Sequence, residues 1–199
     1  MPIRRSPAAA PFMALFCAGL LAAAGVAAVP SRPAQAEMLL FQSPDLFKAV
    51  NKNDLALARA AVLKGEPPNP VDTQGRTPLM VAITNGSAEM VKLLLDYRAH
   101  VNAADKVGNT PLHYAAQTGD GEIIGLLTAK GAKVNQENKQ GMTPLMTAAR
   151  YGGAGAVERL LKAGARVDVA DFTGRTALGW ADEGRNSRVN TLLRNAGAK

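Results

Sequence analysis

The 199-residue sequence has a single cysteine, Cys17, and two histidines, His100 and His113. One thiol and two distant imidazoles build neither a disulfide framework nor a Cys- or His-rich metal site. Aromatic residues supply 5% of the chain, too few for a base-stacking nucleic-acid platform or an aromatic-lined cofactor pocket. Charged residues are only 20% while apolar residues reach 47%, which excludes disorder along the whole length and leaves enough for a packed core. Phosphate-loop chemistry is missing too, since Gly152, Gly153 and Gly155 lack the Lys-Ser/Thr that would follow. Asp182 and Glu183 are adjacent carboxylates, not the facing pair that glycoside hydrolysis needs. No enzyme and no cofactor are expected.

Cations exceed acids, 23 to 16, for a net charge of +7. Part of that excess sits in a segment with the marks of export. Arg4 and Arg5 open the chain, residues 12–29 carry no charge, Pro30 breaks the run, and Ala34-Gln35-Ala36 offers the small-x-small pattern a signal peptidase accepts. The expectation is a signal peptide over residues 1–36, cleaved after Ala36, and a periplasmic or otherwise exported chain, bacterial by analogy with its Ala-rich leader. The rival is an uncleaved N-terminal anchor, because the apolar run approaches spanning length. Ser6-Pro7 after the arginines disfavours a twin-arginine signal, and Phe16 before Cys17 disfavours lipoprotein processing. Cleavage leaves 20 cations against 16 acids and no cysteine, which suits an oxidising compartment. It also weakens the case for nucleic acid that a basic chain raises. The new start, Glu37-Met38-Leu39-Leu40-Phe41, is apolar and reads as a flap over the first structural unit, with a docking or self-association strand as the alternative.

The dominant signal is a period. Thr77-Pro78-Leu79-Met80 recurs as Thr110-Pro111-Leu112-His113, Thr143-Pro144-Leu145-Met146 and Thr176-Ala177-Leu178-Gly179, 33 residues apart each time. Gly75, Gly108, Gly141 and Gly174 stand two residues ahead, and Asp72, Asp105, Asn138 and Asp171 three before those, an Asx/Gly turn in every copy. Threonine then caps a short Ala-rich helix that admits proline at its first position, where a missing N–H costs nothing. After Gly86, Gly119 and Gly152 a second helix places Val91, Leu94 and Leu95, then Ile123, Ile124, Leu126 and Leu127, then Val157, Leu160 and Leu161 on one face. It stops at Gly131 or Gly164. A unit this small cannot bury that face alone, so the copies must stack.

At these residues, including Thr-Pro-Leu-His at 110–113 and Lys-Gly-Ala-Lys-Val-Asn at 130–135, the chain resembles the ankyrin-repeat family. The matching units are 72–104, 105–137, 138–170 and 171–199, the last a C-terminal cap. Residues 37–71 form an N-terminal extension and a degenerate capping repeat, in which Leu46, Phe47 and Ala49 fall where Leu79, Met80 and Ala82 fall. The resemblance implies an all-α solenoid of stacked helix-turn-helix units with short β-turn or hairpin tips. It implies an imidazole bridge at His113, leaves His100 as a solvated surface residue, and makes Trp180 a packing or capping residue.

The resemblance also implies a non-enzymatic protein-interaction module that binds through a concave face of turn tips and first helices. Carried over by position, the partner-binding residues are Arg76, Lys106, Val107, Asn109, Lys139, Met142, Arg150, Tyr151, Phe172 and Arg175. Five of these are cations, with no carboxylate expected beside them beyond the turn Asp residues. Met142, Tyr151 and Phe172 are expected to be exposed near one another as apolar anchors. The expected partner is an acidic protein, met by a monomer, with no nucleic acid and no membrane after cleavage. A membrane-tethered scaffold with a retained N-terminal anchor is the alternative.

Overall fold

A threonine followed by proline or alanine starts a helix wherever the period puts it. A computed structural model describes residues 44–151, 153–184 and 186–199, with side chains from Leu46 onward; the expected leader and flap lie outside them. Ten helices form among these residues: α1 (Pro44–Asn51), α2 (Leu55–Leu63), α3 (Pro78–Thr84), α4 (Ala88–Asp96), α5 (Pro111–Thr118), α6 (Gly121–Ala129), α7 (Pro144–Tyr151), α8 (Ala154–Lys162), α9 (Ala177–Glu183) and α10 (Ser187–Asn195). The odd-numbered helices pack on one another in chain order, and so do the even-numbered ones. The fold is therefore the expected all-α solenoid of two helical layers.

The core lies between the layers. Leu79, Leu112 and Leu145 of the first helices are buried against Val91, Leu94, Ile123, Ile124, Leu127, Val157 and Leu160 of the second. Each such side chain contributes about 1.5–3 kcal/mol on burial. Ala82, Ala115, Ala116, Ala148 and Ala181 are fully or almost fully buried, so small residues set the close spacing of the first-helix layer. In α1, Leu46 and Ala49 are fully buried like Leu79 and Ala82, whereas Phe47 is only partly buried where Met80 is fully so.

The second helices start on a repeating cap. Asp54, Ser87, Asp120 and Asn186 each accept a backbone N–H from the first turn, and Gly153 fills the same place in α8 without a side chain. Just beyond their other ends, Gly65, Gly131, Gly164 and Gly197 take positive φ; Arg98 does so in the second unit, at 62°. Hairpin strands do not form at the tips among the described residues. The tips are turns, with one isolated antiparallel bridge between Ala170 and Thr176. No helix among the described residues is long and apolar enough to cross a membrane.

Candidate interaction face

The turn tips are built around one acceptor. Oδ1 of Asp72, Asp105, Asn138 and Asp171 takes two backbone N–H groups each, from Gln74 and Arg76, Val107 and Asn109, Gln140 and Met142, and Thr173 and Arg175, at 2.8–3.0 Å. Successive tips are then tied through the main chain: Lys106, Lys139 and Phe172 donate to the carbonyls of Gln74, Val107 and Gln140 at 3.0, 3.0 and 3.1 Å. That approach explains the tip glycines. A Cβ on Gly108, whose φ is +86°, would lie 2.8 Å from the Lys139 nitrogen, and one on Gly141 would lie 2.7 Å from the Phe172 ring. Gly174 has φ +83° and, among the described residues, open space in front of it.

The second oxygen of each turn carboxylate is met differently. Arg76 Nε donates to Asp72 Oδ2 at 2.8 Å, the Tyr114 hydroxyl to Asp105 Oδ2 at 2.8 Å, and Trp180 Nε1 to Asp171 Oδ2 at 2.9 Å. In the third turn, the Asn138 amide donates to Asn109 Oδ1 instead. Burial pulls the Asp72 and Asp171 carboxyls upward, but the donors from Arg76 and Gln74, and from Thr173, Arg175 and Trp180, outweigh it and hold both below the ordinary value. Burial, reinforced by the bond to Asp105, pushes the Tyr114 hydroxyl well above its ordinary value. The turns at Asp72 and Asp171 are therefore fixed and charged.

Around this scaffold the ten expected residues separate into groups. Lys106, Val107 and Asn109 line a shallow groove of about 430 Å³ with Thr73, Gln74, Asp105, Tyr114 and Gln117. Val107 is 51% exposed there. Lys139 is exposed on the next tip, and its side chain enters no ion pair among the described residues; nor does that of Lys106. Tyr151 and Phe172 are 55% and 75% exposed. Arg150 holds its guanidinium 4.6 Å from the Tyr151 ring and 4.5 Å from the Trp180 ring, while Arg175 lies 4.6 Å from that same indole. Trp180 was expected as a packing residue; it is buried, yet it also underlies two cations of the face.

Two expectations about this face fail. Met142 is 5% exposed and joins the hydrophobic core, so it is no anchor. Its frame position lies at the root of the tip, where an apolar side chain gains more by turning inward than by staying wet. Carboxylates are also present beyond what was expected: Arg175 Nη1 pairs with Glu183 Oε1 at 2.7 Å. Arg76 is half-buried against Asp72, so its charge is already answered.

A sequence profile of three ankyrin repeats matches residues 46–138 and 120–199, which together cover well over half of the chain. The chain belongs to the ankyrin-repeat family. Ankyrin repeats are generally non-enzymatic units of protein–protein interaction. No curated protein matches the sequence.

Within this ankyrin frame, His113 bridges two repeats. Nδ1 accepts the Thr110 N–H at 3.1 Å, so Nε2 carries the proton and donates to the Met142 carbonyl at 3.0 Å. Burial pushes the imidazole below its ordinary value, more strongly than the Met142 bond raises it. Met80 and Met146 hold the equivalent places, where their sulfurs accept the Thr77 and Thr143 N–H at 3.4 and 3.5 Å but have no hydrogen to pass to the next repeat. His100 is exposed, and its N–H donates to Asn69 Oδ1 at 2.6 Å. That bond belongs to a second ankyrin ladder. Asn69, Asn102 and Asn135 each accept an N–H from the following repeat, of His100, Lys133 and Arg166, and each donates to a carbonyl there, of Arg98, Gly131 and Gly164. Their 33-residue spacing is the signal that would have found them.

Proposed function

We propose that this ankyrin chain is a non-enzymatic adaptor or protector of a partner protein in the cell envelope, and that it takes an acidic partner on its tip and first-helix face. The observation that carries this reading is the company of exposed apolar side chains and cations on that face: Val107 beside Lys106 in one groove, Tyr151 under Arg150, and Phe172 standing out of the last tip. Apolar anchors give affinity, and the unpaired cations select and steer an acidic surface. The second-helix layer also mixes apolar and charged side chains, in a groove of about 320 Å³ lined by Leu55, Arg59, Glu89, Lys92, Leu93, Asp96 and Tyr97. There, however, Glu89 and Asp96 stand among the cations, and Lys130, Arg166 and Arg188 beyond it sit in ion pairs with Asp96, Asp168 and Glu158. Placement in the envelope rests on the leader-like residues 1–36, and with them the rival of a tethered scaffold is open to measurement.

The test is affinity capture from an envelope fraction with protein tagged after Lys199, beside a K106E/K139E/R175E version. The expected result is a partner captured by the parent and lost by the triple variant. Equal capture by both would move the site off this face. The mass of the purified N-terminus decides between the exported and tethered forms: a start at Glu37 supports release, and a start at Met1 supports the scaffold.

A further inference from the structure

The cationic cluster at the C-terminal end of the face holds a carboxylate from outside the turn, Glu183, in the position of a ligand. We propose that Arg150 and Arg175 form a carboxylate-capture site on the Trp180 ring, that Glu183 fills half of it in the free protein, and that an acidic segment of the partner binds by displacing Glu183. This rests on the face proposed above and names the chemistry of its last two repeats.

The geometry points that way because the Arg175–Glu183 pair is not local. Arg175 precedes the cap of α9 and Glu183 is its final residue, so the arginine side chain must run the length of the helix to meet the carboxylate at 2.7 Å. It passes 4.6 Å from the Trp180 centroid on the way. Gly179, whose Cβ would meet Arg175 Cβ at 3.8 Å, leaves the path without a side chain of its own. The platform is rigid: Trp180 is 7% exposed and its N–H is tied to Asp171. Arg150 comes from the preceding repeat to the same ring, braced by Tyr151, and meets no carboxylate among the described residues.

Of the two carboxylates at the cluster, Asp171 is engaged by the Trp180 N–H and the turn amides, so Glu183 alone meets a guanidinium. Stacking on aromatic faces holds arginine forks in place without using their N–H donors. Side chains of Arg175 and Glu183 are 44% and 54% exposed, and a pair so wet is weak and easily exchanged. An incoming Asp or Glu that reaches both guanidiniums gains a cation that Glu183 does not touch. Exposed Tyr151 beside it offers apolar surface to the neighbouring residue of the same segment.

Trp180 is the only tryptophan in the chain, so its emission reports on this cluster alone. The probe is a short fluorescein-labelled peptide of alternating glutamate and leucine, with a glutamine-for-glutamate peptide as control. Anisotropy gives affinity, Trp180 emission gives place, and far-UV circular dichroism checks each variant's fold. The expected result is binding of the glutamate peptide with a change in Trp180 emission, weakened about tenfold in R150Q or R175Q and tightened about threefold or more in E183Q. Binding without an emission change, or without response to E183Q, would overturn the site while leaving the wider face intact. Equal binding of the glutamine peptide, or displacement by inorganic phosphate as readily as by unlabelled peptide, would show a site that does not select a carboxylate and would also overturn it. So would no binding to either the parent or E183Q, in which case the capture experiment alone decides the wider reading.

Discussion

The two ends of the tip face share one backbone frame and present different chemistry. Toward the middle of the chain, Lys106 and Lys139 project from tips whose charges are otherwise settled, beside a groove walled by Val107 and Tyr114. At the C-terminal end, Arg150 and Arg175 lie on aromatic rings and one of them is already paired. The difference comes largely from one position, nine residues after each turn Asx, where Val81, Tyr114, Thr147 and Trp180 stand. Tyrosine and tryptophan both satisfy the turn carboxylate, but among the described residues only the indole carries a cation from each of two repeats. The frame fixes the stack, and a single variable position decides what the stack displays.

If the frame is fixed by tip contact, breaking that contact should cost most. Gly108→Ala adds a Cβ 2.8 Å from a backbone nitrogen at φ +86°, and should lose about 2–4 kcal/mol in denaturant unfolding. Gly174→Ala meets the same φ penalty with nothing in front of it, and should lose about 1 kcal/mol. Equal losses would mean that contact between tips contributes nothing.

The variable position comes next. Tyr114→Phe and Trp180→Phe each remove one donor to a turn carboxylate and should each cost about 1–2 kcal/mol. Only Trp180→Phe should also disturb the two arginines, seen as altered side-chain Nε–H signals of Arg150 and Arg175 in NMR.

His113 separates its junction from those at Met80 and Met146. Its folded-state value lies below the ordinary 6.5 because the neutral ring is buried. As pH falls through 6.5 the unfolded chain takes up a proton that the native state resists, so stability is full above that value and declines toward acid. His113→Met should cost about 1 kcal/mol at neutral pH and remove this part of the slope, which denaturation midpoints across the pH range will show.

The smallest effect is a gain. Arg98 holds the positive-φ place that glycine fills in the other units, and Arg98→Gly should raise stability by about 0.5–1 kcal/mol. A loss would mean that the arginine side chain contributes more than its backbone strain costs.

Much of this was legible because a period multiplies weak signals. One Thr-Pro-Leu is an accident; repeated at fixed spacing, it sets helix starts, turns and stacking direction together. Side-chain direction was less legible. Met142 occupies the place of Arg76, Asn109 and Arg175, and nothing in the frame says that an apolar residue there turns into the core. Glu183 was invisible as a partner of Arg175, since a helix separates them in sequence and only a long arginine lying along that helix closes the gap. The Asn69, Asn102 and Asn135 ladder obeys the same spacing as the threonines, and that spacing is its signal, but the bonds each asparagine makes to the next repeat show only in the structure.

The measurement that bears most directly on the central claim is photo-crosslinking from two surfaces of the protein inside its native cells. A photoreactive residue at position 151 samples the tip and first-helix face, and one at position 162, on α8, samples the second-helix layer. The account predicts a discrete protein adduct from position 151 that disappears in the K106E/K139E/R175E background, and none from position 162. An adduct from position 162 alone, or one from position 151 that survives the charge reversal, would contradict it.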